Sequence, residues 1–144
     1  MEPDDIDKLK TVSCSRDFRT GHPELIKRVK ELIESYRRMF PGRDVIATCV
    51  YRSPEEQQRL YAKGRNGNPG PIVTNADGRS KKSLHNQFPS RAVDLAILEA
   101  GKVVWDESVF WPLGNLGVQC GLEWGGNWTA FRDYPHFQIG KEVA

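Results

Sequence analysis

No stretch of this sequence approaches the roughly 18 consecutive apolar residues of a membrane-crossing helix, so stable membrane insertion is not expected. Excess charge of one sign is also lacking. Twenty-one Lys and Arg stand against 19 Asp and Glu, a net charge of +2, which leaves no strong field to hold nucleic acid. Cysteine is scarce: Cys14, Cys49 and Cys120 are an odd number and widely spaced. That excludes a complete disulfide framework and any CxxC metal knuckle. It suits folding in a reducing cytoplasm, with each cysteine read as a small buried hydrophobe. The start, Met1 to Ile6, is acidic and has no hydrophobic run, so no secretory signal is expected and a target outside the cytoplasm would need another route of delivery. Histidine is as rare as cysteine, at His22, His85 and His136.

What is present fits one domain with one core, since 144 residues suffice for a core of useful size. Residues 1–20 are polar and poorly patterned and read as an N-terminal arm, with one helical turn at Asp4 to Lys10. From Pro23 the pattern is helical. Leu25, Ile26, Val29, Leu32, Ile33, Tyr36 and Phe40 fall on one face, and Pro41-Gly42 stops the helix. His22 sits just before it, in a helix-start position. Asp44 to Tyr51 is rich in β-branched residues and reads as a strand ending at Arg52. Ser53-Pro54-Glu55-Glu56 then opens a second helix, with Ser53 as cap, Pro54 at the first helical position and Glu56 completing a capping box. Gly64 ends it.

Gly64 to Arg79 carries too much Gly, Pro and Asn for a helix. A loop this long is usually functional or mobile, and it leads into the next motif, so it is expected at the rim of a site. Ala92 to Leu98 and Lys102 to Trp105 read as a hairpin around Ala100-Gly101. Pro112 argues against a continuous helix, so a helix is expected only from Pro112 to Cys120, with a turn ahead of it. A short strand and turn at Leu122 to Gly126 and a last strand at His136 to Ile139 complete the chain.

Two of the three histidines stand in chemically suggestive company. One stretch, Ser80 to Leu98, holds His85, a turn through Pro89, and Asp94 inside an apolar strand. The other is Asp133-Tyr134-Pro135-His136-Phe137. A catalytic zinc needs three protein ligands and an open position for water, and imidazole and carboxylate both serve. His85, Asp94 and His136 are the candidate ligands. Asp133, three residues before His136, is the candidate base, and Arg52 the candidate oxyanion contact. By spacing alone a bland alternative stands beside this one: Asp94 in a buried hydrogen bond, His85 capping a turn, His136 filling a strand. Against it, a carboxylate inside an apolar strand is costly unless paired or metal-bound.

At these residues the chain resembles the zinc DD-carboxypeptidase and L-alanyl-D-glutamate endopeptidase family, which includes phage endolysins and vancomycin-resistance carboxypeptidases. Ser83-Leu84-His85 with Ala92-Val93-Asp94 resembles its first motif, and Asp133-Tyr134-Pro135-His136 its second. Gly121 to Trp128 resembles the endolysin branch, and Tyr51 to Gln57 the family's arginine-bearing helix start. Asn86 to Arg91 is longer than the family's usual turn and lacks its glycine. Asp133 stands where the carboxypeptidase branch commonly has Glu.

The resemblance implies an α+β fold of the Hedgehog/DD-peptidase kind, with a small antiparallel sheet carrying a zinc site and helices on its other side. It implies one catalytic domain over residues 1–144, with Zn2+ as cofactor, held by His85, Asp94 and His136. Asp133 and Arg52 would be catalytic. Ser83 would contact substrate or hold its loop; Trp124 and Trp128 would line the cleft or pack in the core. The expected partner is bacterial peptidoglycan, with no nucleic acid, and the expected state a monomer. The preferred expectation is a phage endolysin that waits in the host cytoplasm and then cuts the L-alanyl-D-glutamate bond of the wall. The rivals are a D-alanyl-D-alanine carboxypeptidase or dipeptidase, and a wall-binding module without catalysis.

Overall fold

The computed structural model describes residues 14–144; the helical turn expected at Asp4 to Lys10 lies outside them. Among the described residues, three α-helices and a five-stranded antiparallel sheet make up an α+β fold. Helix α1, Pro23–Met39, begins as its sequence demands. The Nδ1 of His22 accepts the Glu24 N–H, and Pro23 takes the first turn, where its missing donor costs nothing. Leu25, Val29, Leu32, Ile33 and Tyr36 form its buried stripe. Each buried apolar side chain contributes about 1.5–3 kcal/mol, so this stripe anchors the core.

Strand β1, Arg43–Cys49, pairs with β2, Ala92–Glu99. The other edge of β2 is shared. Strand β3, Lys102–Val104, pairs with its end, while β5, His136–Gln138, pairs with its start and carries the two-residue β4, Glu123–Trp124, outside it. The β2–β3 hairpin turns at Ala100-Gly101, both at positive φ, as a tight two-residue turn requires. Val93, Leu95, Ile97 and Phe137 face the helices and are fully buried. The alternate residues, Asp94 and His136 among them, stand on the opposite face.

Three expectations need correction. The helix expected from Pro112 begins earlier: α3 is Glu107–Gln119, capped by Asp106 and with Pro112 inside it. Interior proline costs about 3 kcal/mol. Burial of Phe110 and Leu113, together with close packing at Gly114 and Gly117, outweighs it. A Cβ on Gly114 would lie 2.2 Å from the Trp124 ring and one on Gly117 2.6 Å from Phe137, so these glycines let the helix lie directly on the two aromatic rings. The strand expected to reach Tyr51 leaves β1 at Cys49. Val50 donates to Ser15 O at 2.6 Å, and Ser15 to Tyr51 O at 2.8 Å, so residues 50–51 pair with the N-terminal segment instead.

That segment carries the third correction. Cys14 and Cys49 are joined in a disulfide and are not separate buried thiols; Cys120 stays free. The pair ties residues 14–17 to the end of β1. Ser15 and Thr20 are buried, and Ser90 donates to Thr20 O while His22 donates to Ser90 O. The described part of the expected arm is therefore packed against the sheet end and the turn before β2.

The second helix, α2, is Pro54–Ala62, with Ser53 accepting the Glu56 N–H at 3.1 Å. Its buried Gln57 donates to Thr74 Oγ1 and Ala76 O, which fastens the long Gly64–Arg79 loop to α2.

Candidate metal centre

Asp94 is the hub of the site. It lies across from His136 in the β2–β5 register, and residues directly opposite in a sheet share a face. His136 Nδ1 stands 3.4 Å from Asp94 Oδ1. His85 arrives from a one-turn helix at Leu84–Asn86, whose first N–H groups are held by a reciprocal cap between Ser83 and Asn86. That turn sets His85 Nε2 3.2 Å from the same Asp94 Oδ1. Arg52, just past β1, donates from Nη2 to Asp94 Oδ2 at 3.2 Å and from Nη1 to Gln57 Oε1 at 2.9 Å. Asp133 Oδ2 lies 3.9 Å from His136 Nδ1, and its side chain is 46% exposed where the others are largely buried. The structure thus brings His85, Asp94, His136, Asp133 and Arg52 together.

The donor set fits a divalent metal ion because both imidazoles are held from behind. His85 Nδ1 has the Val50 carbonyl 2.8 Å away, so that nitrogen carries a proton and Nε2 is the atom left to face Asp94 or an ion. His136 Nε2 has Gln138 Oε1 at 2.7 Å, and Gln138 Nε2 in turn donates to Glu123 Oε1 at 2.9 Å. Glu123 fixes which way the Gln138 amide faces, and the amide leaves His136 Nδ1 to face the carboxylates. Two sets of ligand atoms lie within 4.8 Å of one another: Asp94, Asp133 and His136, and Cys49, His85 and Asp94. Asp94 belongs to both.

The charges reinforce this arrangement. Burial alone would push Asp94 up, but the charges and hydrogen bonds of His85 and His136 hold it well below the usual carboxylate range. Burial opposes a charged His136, yet its hydrogen bond to Asp94 and the Asp94 and Asp133 charges raise it. Asp133 is pushed up by burial and then by the Asp94 charge, against the pull of His136, His85 and Arg52. Two neighbouring carboxylates are driven apart, one firmly ionised and one more basic, a separation that suits a ligand and a base respectively.

Arg52, His85, Asp133 and His136 line an open cleft of about 720 Å³. Val73 to Ala76 line it, so the long loop does stand at the rim. Lys63, Lys81 and Lys82 give the cleft a basic wall. Trp128 lines the cleft with its ring 4.9 Å from that of His136. Trp124 does not line it: the residue is 2% exposed, stacks on Phe137 and donates to Tyr134 O. Its bulk belongs to the core under α3. Ser83 lines the cleft, but its hydroxyl accepts the His85 N–H and so holds the turn. The unusual turn at Asn86–Arg91 is braced from several sides. Asn86 Nδ2 donates to Arg52 O, Phe88 packs edge-on to Tyr51 ahead of a cis Pro89, and buried Ser90 donates to Val50 O.

Sequence reasoning missed Gln138, Gln57 and Cys49. Gln138 was within reach, since strand alternation puts it on the same face as His136.

Residues 77–139 match the model of a D-alanyl-D-alanine carboxypeptidase family. The peptidoglycan L-alanyl-D-glutamate endopeptidase CwlK of Bacillus subtilis is 36% identical over 108 residues, 68% of this chain and 62% of that protein. The chain therefore spans less than two thirds of that relative. Among solved structures, the Serratia marcescens L-Ala D-Glu endopeptidase ChiX superposes with a TM-score of 0.64 at 23% identity, covering 92% of this chain and 90% of that one. A variant of the vancomycin-resistance D,D-pentapeptidase VanY, solved in complex with Zn(II), superposes with a TM-score of 0.58 at 15% identity, covering 94% and 83%. At these identities the two structures show a shared fold.

Proposed function

The chain belongs to the D-alanyl-D-alanine carboxypeptidase family that it matches over residues 77–139, and on that premise we propose that it is a zinc peptidase of bacterial peptidoglycan that hydrolyses the L-alanyl-D-glutamate bond of stem peptides. One observation carries the proposal. Two imidazoles that line an open cleft, each with its far nitrogen held by a partner behind the ring, turn the other nitrogen to a single ionised carboxylate. His85, Asp94 and His136 would hold the zinc, leaving a position open. There the ion supplies Lewis-acid polarisation and water with a pKa of about 7.

The chain's own groups do the rest. Asp133, beside His136 and raised above its ordinary value, accepts the proton of the attacking water and returns it to the leaving amine. Arg52 is held by Gln57 and Asp94 at the cleft wall, where its guanidinium meets the charge that develops on the scissile carbonyl oxygen. The lysine wall suits a substrate with free carboxylates, as a glutamyl stem peptide has.

The choice of bond follows the 36% identical endopeptidase and the Asp at position 133. The Gly121 to Trp128 segment, similar to the endolysin branch, supports a finer reading: a monomeric phage endolysin, made in the host cytoplasm and released onto the wall at lysis. Mass spectrometry of digested peptidoglycan tests the bond. New N-terminal D-glutamyl peptides are expected. Intact L-Ala–D-Glu bonds with release of free D-alanine would overturn the assignment in favour of a carboxypeptidase. The lysis role predicts that cells producing the chain lyse only once their inner membrane is permeabilised. Lysis without permeabilisation, or none after it, contradicts that role.

A further inference from the structure

Asp94 has two cross-strand neighbours. On one side is His136 of β5; on the other, in the β1–β2 register, is Cys49. His136, Asp94 and Cys49 therefore form a row across three strands on one face of the sheet. The Cys49 sulfur, a ligand atom of His85 and one of Asp94 lie within 4.8 Å of one another, a spacing from which one ion can be shared with small side-chain adjustments. Cys49 is 4% exposed, so its sulfur is shielded from solvent. What keeps it from acting as a ligand is its bond to Cys14, a residue of the N-terminal segment laid along Val50 to Arg52. Cys14, the other half of the bond, is partly exposed.

We infer that the Cys14–Cys49 disulfide is a redox gate on the metal centre. Oxidised, Cys49 is withheld and the site keeps the open position that hydrolysis needs. Reduced, Cys49 becomes an additional ligand to the ion held by His85, Asp94 and His136, and occupies the position that water would take. The inference rests on the reading of those three residues as metal ligands. The balance is simple. A dithiol gives two electrons and two protons to the Cys14–Cys49 bond and is itself oxidised to a disulfide. The Cys49 thiol then loses its proton to solvent as its sulfur binds the metal. A closed site of three nitrogen or oxygen ligands and one sulfur is a structural type, where a three-ligand site with water is a catalytic one. Such a peptidase would be silent in a reducing compartment and active in an oxidising one.

Cobalt(II) replaces zinc as a spectroscopic probe, because a bound thiolate adds an intense near-ultraviolet charge-transfer band that nitrogen and oxygen ligands do not. Wild-type chain is loaded with cobalt in its oxidised form, and again after dithiol reduction and airless removal of the reductant. The band is expected only in the reduced form. Cys14→Ser, which cannot form the disulfide, is expected to show it with no reductant and to cleave peptidoglycan at least tenfold more slowly than oxidised wild type. Cys49→Ser is expected to bind cobalt without the band and to respond to dithiol with no change in cleavage rate. Identical cobalt spectra for oxidised wild type, reduced wild type and Cys14→Ser would overturn the inference, as would a band that persists in Cys49→Ser. Cobalt binding without any wall cleavage by oxidised wild type would overturn the proposed function instead, and leaves the comparison of bands decisive for the gate.

Discussion

Asp94 Oδ1 is shared between two imidazoles, with His85 Nε2 at 3.2 Å and His136 Nδ1 at 3.4 Å. The Asp94–His136 half of that arrangement follows from strand pairing alone, since the two residues are register partners on β2 and β5. The His85 half depends on the Ser83–Asn86 cap that winds one turn just before the strand. A rigid sheet pair and a capped turn thus converge on one oxygen, and the chemistry predicted for the site depends on that convergence.

Asp133→Asn is expected to retain the metal and to lower kcat by roughly 10²–10⁴-fold, the usual contribution of a positioned general base. Asp133 is raised first by burial and then by the Asp94 charge, and its ionised form is the active one. The wild-type rate should therefore fall as pH drops through a value above the ordinary aspartate range. Metal content and a pH–rate profile check both statements. Near-normal turnover of Asp133→Asn would remove the assigned base.

Gln138→Leu frees His136 Nε2 from the partner that orients the ring, and leaves Glu123 without its amide contact. Metal affinity should fall roughly 10–100-fold, as is typical when a group behind a ligating histidine is lost. Competition with a chromophoric chelator measures it. Unchanged affinity would show that the Glu123–Gln138–His136 chain does not hold the ring.

Arg52→Ala should lower kcat by about 10²–10³-fold, the scale seen for loss of an oxyanion donor, with metal still bound and the fold intact by circular dichroism. A rise in KM alone would instead assign Arg52 to ground-state binding of substrate.

The three residues proposed as ligands were legible through the family resemblance more than through spacing: residue types alone left a bland alternative beside them, and the carboxylate inside an apolar strand at Asp94 was the main local sign against it. Helix α1 and the β2–β3 hairpin were legible locally, since period and turn residues agree with the fold. What escaped depends on distant parts of the chain. The Cys14–Cys49 bond spans 35 residues and requires the N-terminal segment to lie along Val50 to Arg52, which no local pattern announces. Gln57 acquires its role only when the Gly64–Arg79 loop folds back onto α2. Pro112 misled because tertiary burial on Trp124 and Phe137 outweighs a local propensity. Trp124 and Trp128 are four residues apart and alike in sequence context, yet one fills the core and the other meets His136.

The central claim is that His85, Asp94 and His136 hold an ion on which peptidoglycan cleavage depends. The most direct measurement is a digest of purified peptidoglycan by the oxidised protein, first stripped with a chelator and then titrated with zinc, with bound metal quantified at each step. Cleavage at L-alanyl-D-glutamate should vanish on stripping and return in proportion to zinc, saturating at a single ion per chain. His85→Ala should neither bind zinc tightly nor recover. Full cleavage by protein shown to hold no metal would contradict the account.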